Sequence, residues 1–308
     1  MHSFPVERTK TMKRDTFSSY HPIVNQIYFV AVIGFTMFLM HPVCIAISLL
    51  CAVTYNVYIN GKKAIRFNLI FMLPLLLLTA VLNPLFNHQG ATILTYLPGG
   101  NPLTLESIAY GVAAAFLLIT VVSWFSCLSA VMTTDKIVYL FGRLIPALSL
   151  VLSMSLRLIP RFRNQIKVIS NAQKCIGRDV SGGSVLQRIK RGVKNISILI
   201  TWALENAIET ADSMKGRGYG LPGRTAFSIF RFTRRDACAL ACILALTAVM
   251  IVGAATGAYR FLYYPYISGQ YAGAGTVALF AAYFILCVLP LVVNVKEDII
   301  WYQIKTKT

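Results

Sequence analysis

Apolar residues gather into six runs along the chain, residues 23–40, 43–59, 69–86, 107–132, 237–258 and 273–295. A helix needs about 20 mostly apolar residues to cross a bilayer core, so the pattern predicts six membrane-spanning helices. Only His41 and Pro42 separate the first two runs, which predicts a tight hairpin. Pro74 and Pro290 fall inside runs, where neighbouring helices can take up a lost backbone bond. A further apolar stretch, residues 145–156, is bracketed by Pro146 and Pro160 and is too short to span.

Between the fourth and fifth runs the pattern changes to a helical period with two different faces. Arg157, Arg161, Asn164, Lys167, Asn171, Lys174 and Arg178 recur every three or four residues as a basic stripe. Ile159, Phe162, Ile166, Ile169 and Ile176 fall on another face. The spacing predicts a helix from about Arg157 to Arg178. A second helix is expected to start at Ser184, with Gln187 three residues on in a capping-box pattern. Leu186, Ile189, Val193, Ile196, Ile200, Leu204, Ala207, Ala211 and Met214 form its apolar stripe, and Gly216, Gly218, Gly220 and Pro222 stop it. Glu205, Glu209 and Asp212 lie on this second helix. Acids on one helix and bases on the other suit two long helices packed against each other.

Composition and charge extend the picture. Of 308 residues, 56% are hydrophobic and only 13% charged, with a formal net charge of +18. Soluble domains average roughly 25% charged, so this is an integral membrane chain and its basicity is a topology signal, with no nucleic-acid partner expected. Six spans with a cytoplasmic N-terminus place every Lys and Arg except Arg260 on the cytoplasmic side. A seventh span at 145–156 would put the basic stretch after it outside, so that run is expected at the cytoplasmic membrane face. The reading is an all-α integral membrane protein of the cell membrane, with both termini cytoplasmic. It divides into residues 1–132 (tail and spans one to four), 133–235 (cytoplasmic module with two long coupling helices) and 236–308 (spans five and six with the tail).

Candidate chemistry is sparse. Six of the seven cysteines lie in apolar runs, Cys175 lies in a basic helix, and no CxxC pair occurs, so neither a disulfide framework nor a zinc site is supported. No GxxxxGK[ST] phosphate loop is present, and Gly216, Gly218 and Gly220 do not have the dinucleotide-binding spacing. No acid lies centrally in a span; Glu106 is at an edge, and His2, His21, His41 and His88 lie in the tail, at a boundary or in a loop. An intramembrane hydrolase or proton-driven pump fits poorly. No enzyme activity, metal or cofactor is expected. Asn83 and the small residues Gly253 and Gly257 read as helix-packing positions. The Asn195-Ile196-Ser197 sequon is discounted because it is cytoplasmic by charge.

What remains is an arginine at the end of each cytoplasmic helix. A guanidinium keeps its charge and offers five fixed donors, which suits a contact that must hold register. Three segments carry a specific likeness: Leu156-Arg157-Leu158-Ile159-Pro160, then residues 172–178, then Ala203-Leu204-Glu205 through Asp212-Ser213-Met214-Lys215-Gly216-Arg217-Gly218-Tyr219. They resemble the transmembrane coupling subunit of energy-coupling factor (ECF) transporters, the EcfT family that includes the cobalt-transport subunit CbiQ. In that family each of two coupling helices ends in a short motif, usually Ala-Arg-Gly or Ala-Arg-Ser, whose arginine docks into one of two ATPase subunits.

The resemblance implies ATPase-coupling sites at Gly177-Arg178-Asp179 and Gly216-Arg217-Gly218. The first departs from the family by an acid, Asp179, where Gly or Ser is usual. It also implies two ATP-binding cassette ATPase partners, a separate substrate-binding membrane (S) subunit, the lipid bilayer as surroundings, and uptake of a micronutrient such as a vitamin or a transition-metal ion. Two other readings stay open. One is a membrane-anchored scaffold whose basic amphipathic helices bind lipid or a soluble partner. The other is an ordinary ABC importer permease, whose EAAxxxG coupling loop residues 203–211 match only loosely.

Overall fold

The computed structural model describes residues 15–96, 101–179, 182, 184–219, 221, 230–257, 259–269 and 273–307. The basic tail residues Arg8, Lys10, Lys13 and Arg14, the helix-stop residues Gly220 and Pro222, and the loop residue Gly183 lie outside them. The chain separates into two compact units, one of residues 1–134 and 230–308 and one of Asp135–Ile229.

The first unit is built from apolar helices: α1 (Pro22–Phe38), α2 (Pro42–Asn60), α3 (Lys62–Phe67), α4 (Leu73–Phe86), α5 (Leu105–Val131), α9 (Arg234–Ala255) and α10 (Ala274–Lys307). One wider π-helical turn, Asn68–Met72, joins α3 to α4, so the third apolar run is a composite span over Ala64–Phe86. Among the described residues five helices are long and apolar enough to cross a membrane; α1, at 17 residues, is the shorter apolar helix beside them. The chain is a multi-pass, all-α membrane protein. Two small antiparallel ribbons depart from the all-helical expectation: β1 (Ile93–Tyr96) with β2 (Pro102–Thr104), and β3 (Phe261–Leu262) with β4 (Ser268–Gly269). They lie in loops between spans, where polar backbone groups need partners that no helix supplies.

α5 is the hub, packing on α4, α2 and α1. The expected hairpin of α1 and α2 has its short connection, but the two helices touch little and make most of their contacts on α5, α9 and α10. Where they do meet, Thr36 Oγ1 and Ser48 Oγ lie 2.9 Å apart, and Thr36 also reaches Tyr283 Oη at 3.0 Å. Trp124 of α5, fully buried, donates its indole N–H to Ser48 Oγ at 2.8 Å. Tyr28, Phe29 and Tyr55 surround that indole at ring-centroid distances of 6.3, 6.3 and 6.4 Å. α9 and α10 approach closely at Gly253, where a Cβ would stand 2.8 Å from both Leu279 methyl carbons. The packing role read for Gly253 is therefore filled within the chain.

A short segment before α1 ties three helices together. Phe17 donates its N–H to Asn294 Oδ1 (3.0 Å), Asn294 donates to Asp15 (2.6 Å), and Tyr55 donates to the other oxygen of Asp15 (3.2 Å). His21 donates its N–H to Asp236 (3.0 Å), the acid that completes the capping box of α9 with Thr233. The Arg235 guanidinium lies 4.3 Å over the Tyr20 ring. Burial raises the Tyr20 phenol above its ordinary range, with Arg235 pulling the other way.

The second unit holds α6 (Thr134–Leu144), α7 (Pro146–Cys175) and α8 (Val185–Gly216). The sequence reading is corrected here in two respects. The apolar stretch 145–156 is no separate element but the first part of α7, which runs unbroken through Pro160. A proline's φ of about −65° is itself helical, so one backbone bond is lost while helical backbone continues on both sides. α7 is 30 residues long and is not among the helices apolar enough to span. Second, Ser184 is the N-cap of α8 by backbone position, but its side chain makes no capping hydrogen bond. The amphipathic α6 escaped the sequence reading, although Ile137, Phe141 and Leu144 carry its period.

Candidate functional site

The contact between α7 and α8 runs through Phe162 and Trp202, whose rings meet edge to face at 6.0 Å and 74°. Arg161 lies 5.5 Å over the same indole. Such a pair contributes about 0.5–1.5 kcal/mol beyond area burial, and a partly exposed cation over an indole adds about 0.5–1 kcal/mol. Among the described residues, Ile169 and Asn195 are the buried ones of the two helices. Charge pairing does not join them: among the described residues Glu205, Glu209 and Asp212 are exposed and take part in no ion pair.

The apolar stripe read along α8 is not the surface that meets α7. Leu186, Ile189, Val193, Ile196, Ile200 and Leu204 are all more than half exposed within the chain. Residues facing α7 fall at Asn195, Leu199, Trp202 and Asn206, a second helical row whose members are all less exposed. On α7, Phe162, Ile166 and Ile169 pack, whereas Ile159 and Ile176 stay open.

Both helices end in the same backbone arrangement. In α7, Arg178 N–H bonds Gln173 O (2.9 Å) and Gly177 N–H bonds Lys174 O (3.0 Å), with Gly177 at φ 74°. In α8, Tyr219 N–H bonds Met214 O (3.0 Å) and Gly218 N–H bonds Lys215 O (3.0 Å), with Gly218 at φ 80°. These are Schellman terminators, in which a left-handed glycine turns the chain back onto the last free carbonyls. No hydrogen bond or ion pair among the described residues occupies the guanidinium of Arg178 or Arg217, and both side chains are exposed. Gly216 is exposed with open space at its Cα. Asp179 turns its carboxylate back to Lys174 Nζ at 3.7 Å. Gly177, Arg178 and Asp179 therefore stand together at one end of the unit, and Gly216, Arg217 and Gly218 stand together at the terminus of the other helix.

No group of His, Cys, Asp and Glu capable of holding a metal ion occurs among the described residues. An open apolar groove of about 490 Å³ runs between α9 and α10, lined by small residues such as Gly253, Thr256, Gly275 and Ala278.

The sequence profile of CbiQ, described as a cobalt transport protein, matches residues 17–229. The chain belongs to this family. Among similar proteins, the energy-coupling factor transporter transmembrane protein EcfT of Lacticaseibacillus paracasei is 36% identical over 106 residues, 34% of this chain. That match spans only 40% of the relative's length. EcfT 1 of Listeria monocytogenes is 31% identical over 210 residues, 64% of this chain and 75% of its own. EcfT of Exiguobacterium sibiricum is 26% identical over 212 residues, 64% of this chain and 80% of its own. The CbiQ match includes all of α7 and α8 with both arginine termini.

Proposed function

We propose that this CbiQ-family chain is the transmembrane energy-coupling subunit of an ECF-type importer in the cell membrane, with both termini cytoplasmic. It takes the motion of two ATP-binding cassette ATPases and passes it to a separate substrate-binding membrane subunit that carries a vitamin or transition-metal ion inward. The chain contributes no catalysis; ATP hydrolysis belongs to the partners. The observation that carries this reading is the pair of exposed arginines, each beside a glycine-terminated helix end and each without a guanidinium partner among the described residues. The helix terminator fixes where the backbone of each arginine stands, so docking has to order only the side chain itself.

In this reading Gly177, Arg178 and Asp179 seat one ATPase, and Gly216, Arg217 and Gly218 seat the other. The exposed stripe of α8 faces the substrate-binding subunit or the bilayer. Such a coupling needs contacts that differ between two states of the partner, and two helices pinned to each other at Trp202 can move together.

The test is ATP-dependent uptake in cells carrying Arg178→Ala with Arg217→Ala, alongside recovery of ATPase subunits with the tagged chain. Membrane insertion is expected to persist while uptake and ATPase recovery fall to background. Normal uptake by the double variant overturns the reading. The scaffold alternative draws on the exposed stripe and its basic neighbours; it expects lipid binding to decline by similar steps for any Lys or Arg removed, with no special loss at Arg178 or Arg217.

A further inference from the structure

A side chain of α8 reaches back to the loop after α7. Arg191, in the second turn of α8, donates from Nη1 to the backbone carbonyl of Asp179 at 2.6 Å and to that of Gly182 at 3.0 Å. Both bonds reach backbone groups, so they fix the path of the chain itself rather than the pose of one side chain. Arg178 is the residue immediately before the first of those carbonyls. On its other side it is fixed by the Gly177 terminator. The backbone carrying Arg178 is thus clamped at both flanks.

The clamp also sets a distance. Twenty-six residues further along α8 stands Arg217. At 1.5 Å per residue that is about 39 Å of helix. We propose that Arg191 is a positioning residue that fixes the first arginine tip at one place on α8 and so sets the spacing at which Arg178 and Arg217 are offered to the two ATPases. This inference rests on the docking reading given above. Without Arg191, the end of α7 beyond the packed residues Phe162, Ile166 and Ile169 is held to α8 less tightly, and the tip can swing about that patch. An arginine suits this role because one nitrogen of its rigid fork carries two hydrogens, one for each carbonyl.

The test uses the full complex and separates the two seats. In an Arg217→Ala background the Arg178 seat alone retains the ATPases; in an Arg178→Ala background the Arg217 seat does. Adding Arg191→Ala is expected to lower ATPase recovery roughly tenfold in the first background, the loss of two hydrogen bonds to a partly exposed loop, and to leave the second unchanged. Arg191→Lys should restore part of the loss. An equal fall in both backgrounds, or none in either, overturns the positioning role. A second readout does not depend on docking. Spin labels at Cys175 and at Ser213→Cys, with the exposed Cys238 and Cys242 replaced by Ser, report the spacing of the two tips. Arg191→Ala is expected to broaden that distance distribution, and an unchanged distribution sinks the inference. If neither single arginine tip variant lowers ATPase recovery while Arg191→Ala still broadens the spacing, the docking reading falls and the clamp stands.

Discussion

Gly177 and Gly218 hold the same left-handed conformation at the same point of the same terminator, yet Arg178 follows its glycine and Arg217 precedes its own. The residue of α7 in the position of Arg217 is Ile176, and the residue of α8 in the position of Arg178 is Tyr219. The two arginines therefore leave their helix ends from backbone positions of different geometry, one before the reversal of the chain and one after it.

That offset predicts register-specific seats. Ile176→Arg combined with Arg178→Ala keeps a cation at the end of α7 but moves it to the position that Arg217 holds in α8. Uptake is expected to stay as low as in Arg178→Ala alone. Recovery to more than half of the normal rate would show that only charge at the tip matters.

Gly218→Ala places a Cβ on a residue at φ 80°. The left-handed conformation is about 1 kcal/mol less favourable for alanine than for glycine. The terminator of α8 should open roughly fivefold more often, a change readable as faster hydrogen exchange of the Tyr219 amide. Unchanged exchange at Tyr219 would mean that this terminator is held by something other than its glycine.

Trp202→Ala removes both the edge-to-face partner of Phe162 and the surface under Arg161. For a large aromatic that remains partly exposed, the loss is about 2–3 kcal/mol, below the range for full burial. Distances between spin labels on α7 and α8 should spread in this variant, while Trp202→Phe should keep most of the contact. A distribution as narrow as wild type would rule out Trp202 as the crossing point.

Ser48→Ala strands the indole N–H of Trp124 in a fully buried place. An unsatisfied buried donor costs about 1–3 kcal/mol, seen as a lower unfolding temperature of the detergent-solubilised chain. Combining it with Trp124→Phe should cost less than the two single losses added together, because no donor is then left over. Strict additivity would mean that the hydrogen bond contributes little.

The apolar runs were legible because a spanning helix must be long and apolar throughout, and five of the six became helices that meet both conditions. The stops at Gly216 and Gly218 were legible because glycine after an apolar period has few other uses. The extent of α7 was not. Prolines at 146 and 160 looked like borders, yet the first sits at the helix start, where its missing N–H loses nothing, and the second lies within an unbroken helix. The packed face of α8 was misleading in a different manner. Its longest apolar row, from Leu186 to Leu204, is the one left exposed, while the shorter row through Trp202 meets α7. Periodicity counts apolar positions and cannot tell an inward face from one that meets lipid or another protein. Arg191 carried no signal at all, since a donor to backbone carbonyls leaves no complementary residue to find.

The crossing at Phe162 and Trp202 falls near the middle of both helices. Along α7 about 24 Å of helix lies before Phe162 and about 20 Å after it; along α8 about 26 Å lies before Trp202 and about 21 Å after it. A balance beam with its pivot near the centre neither amplifies nor diminishes a stroke. Under the docking proposed above, a displacement applied at one arginine and turned about that contact reaches the opposite end of the same helix at nearly its full size and in the contrary direction.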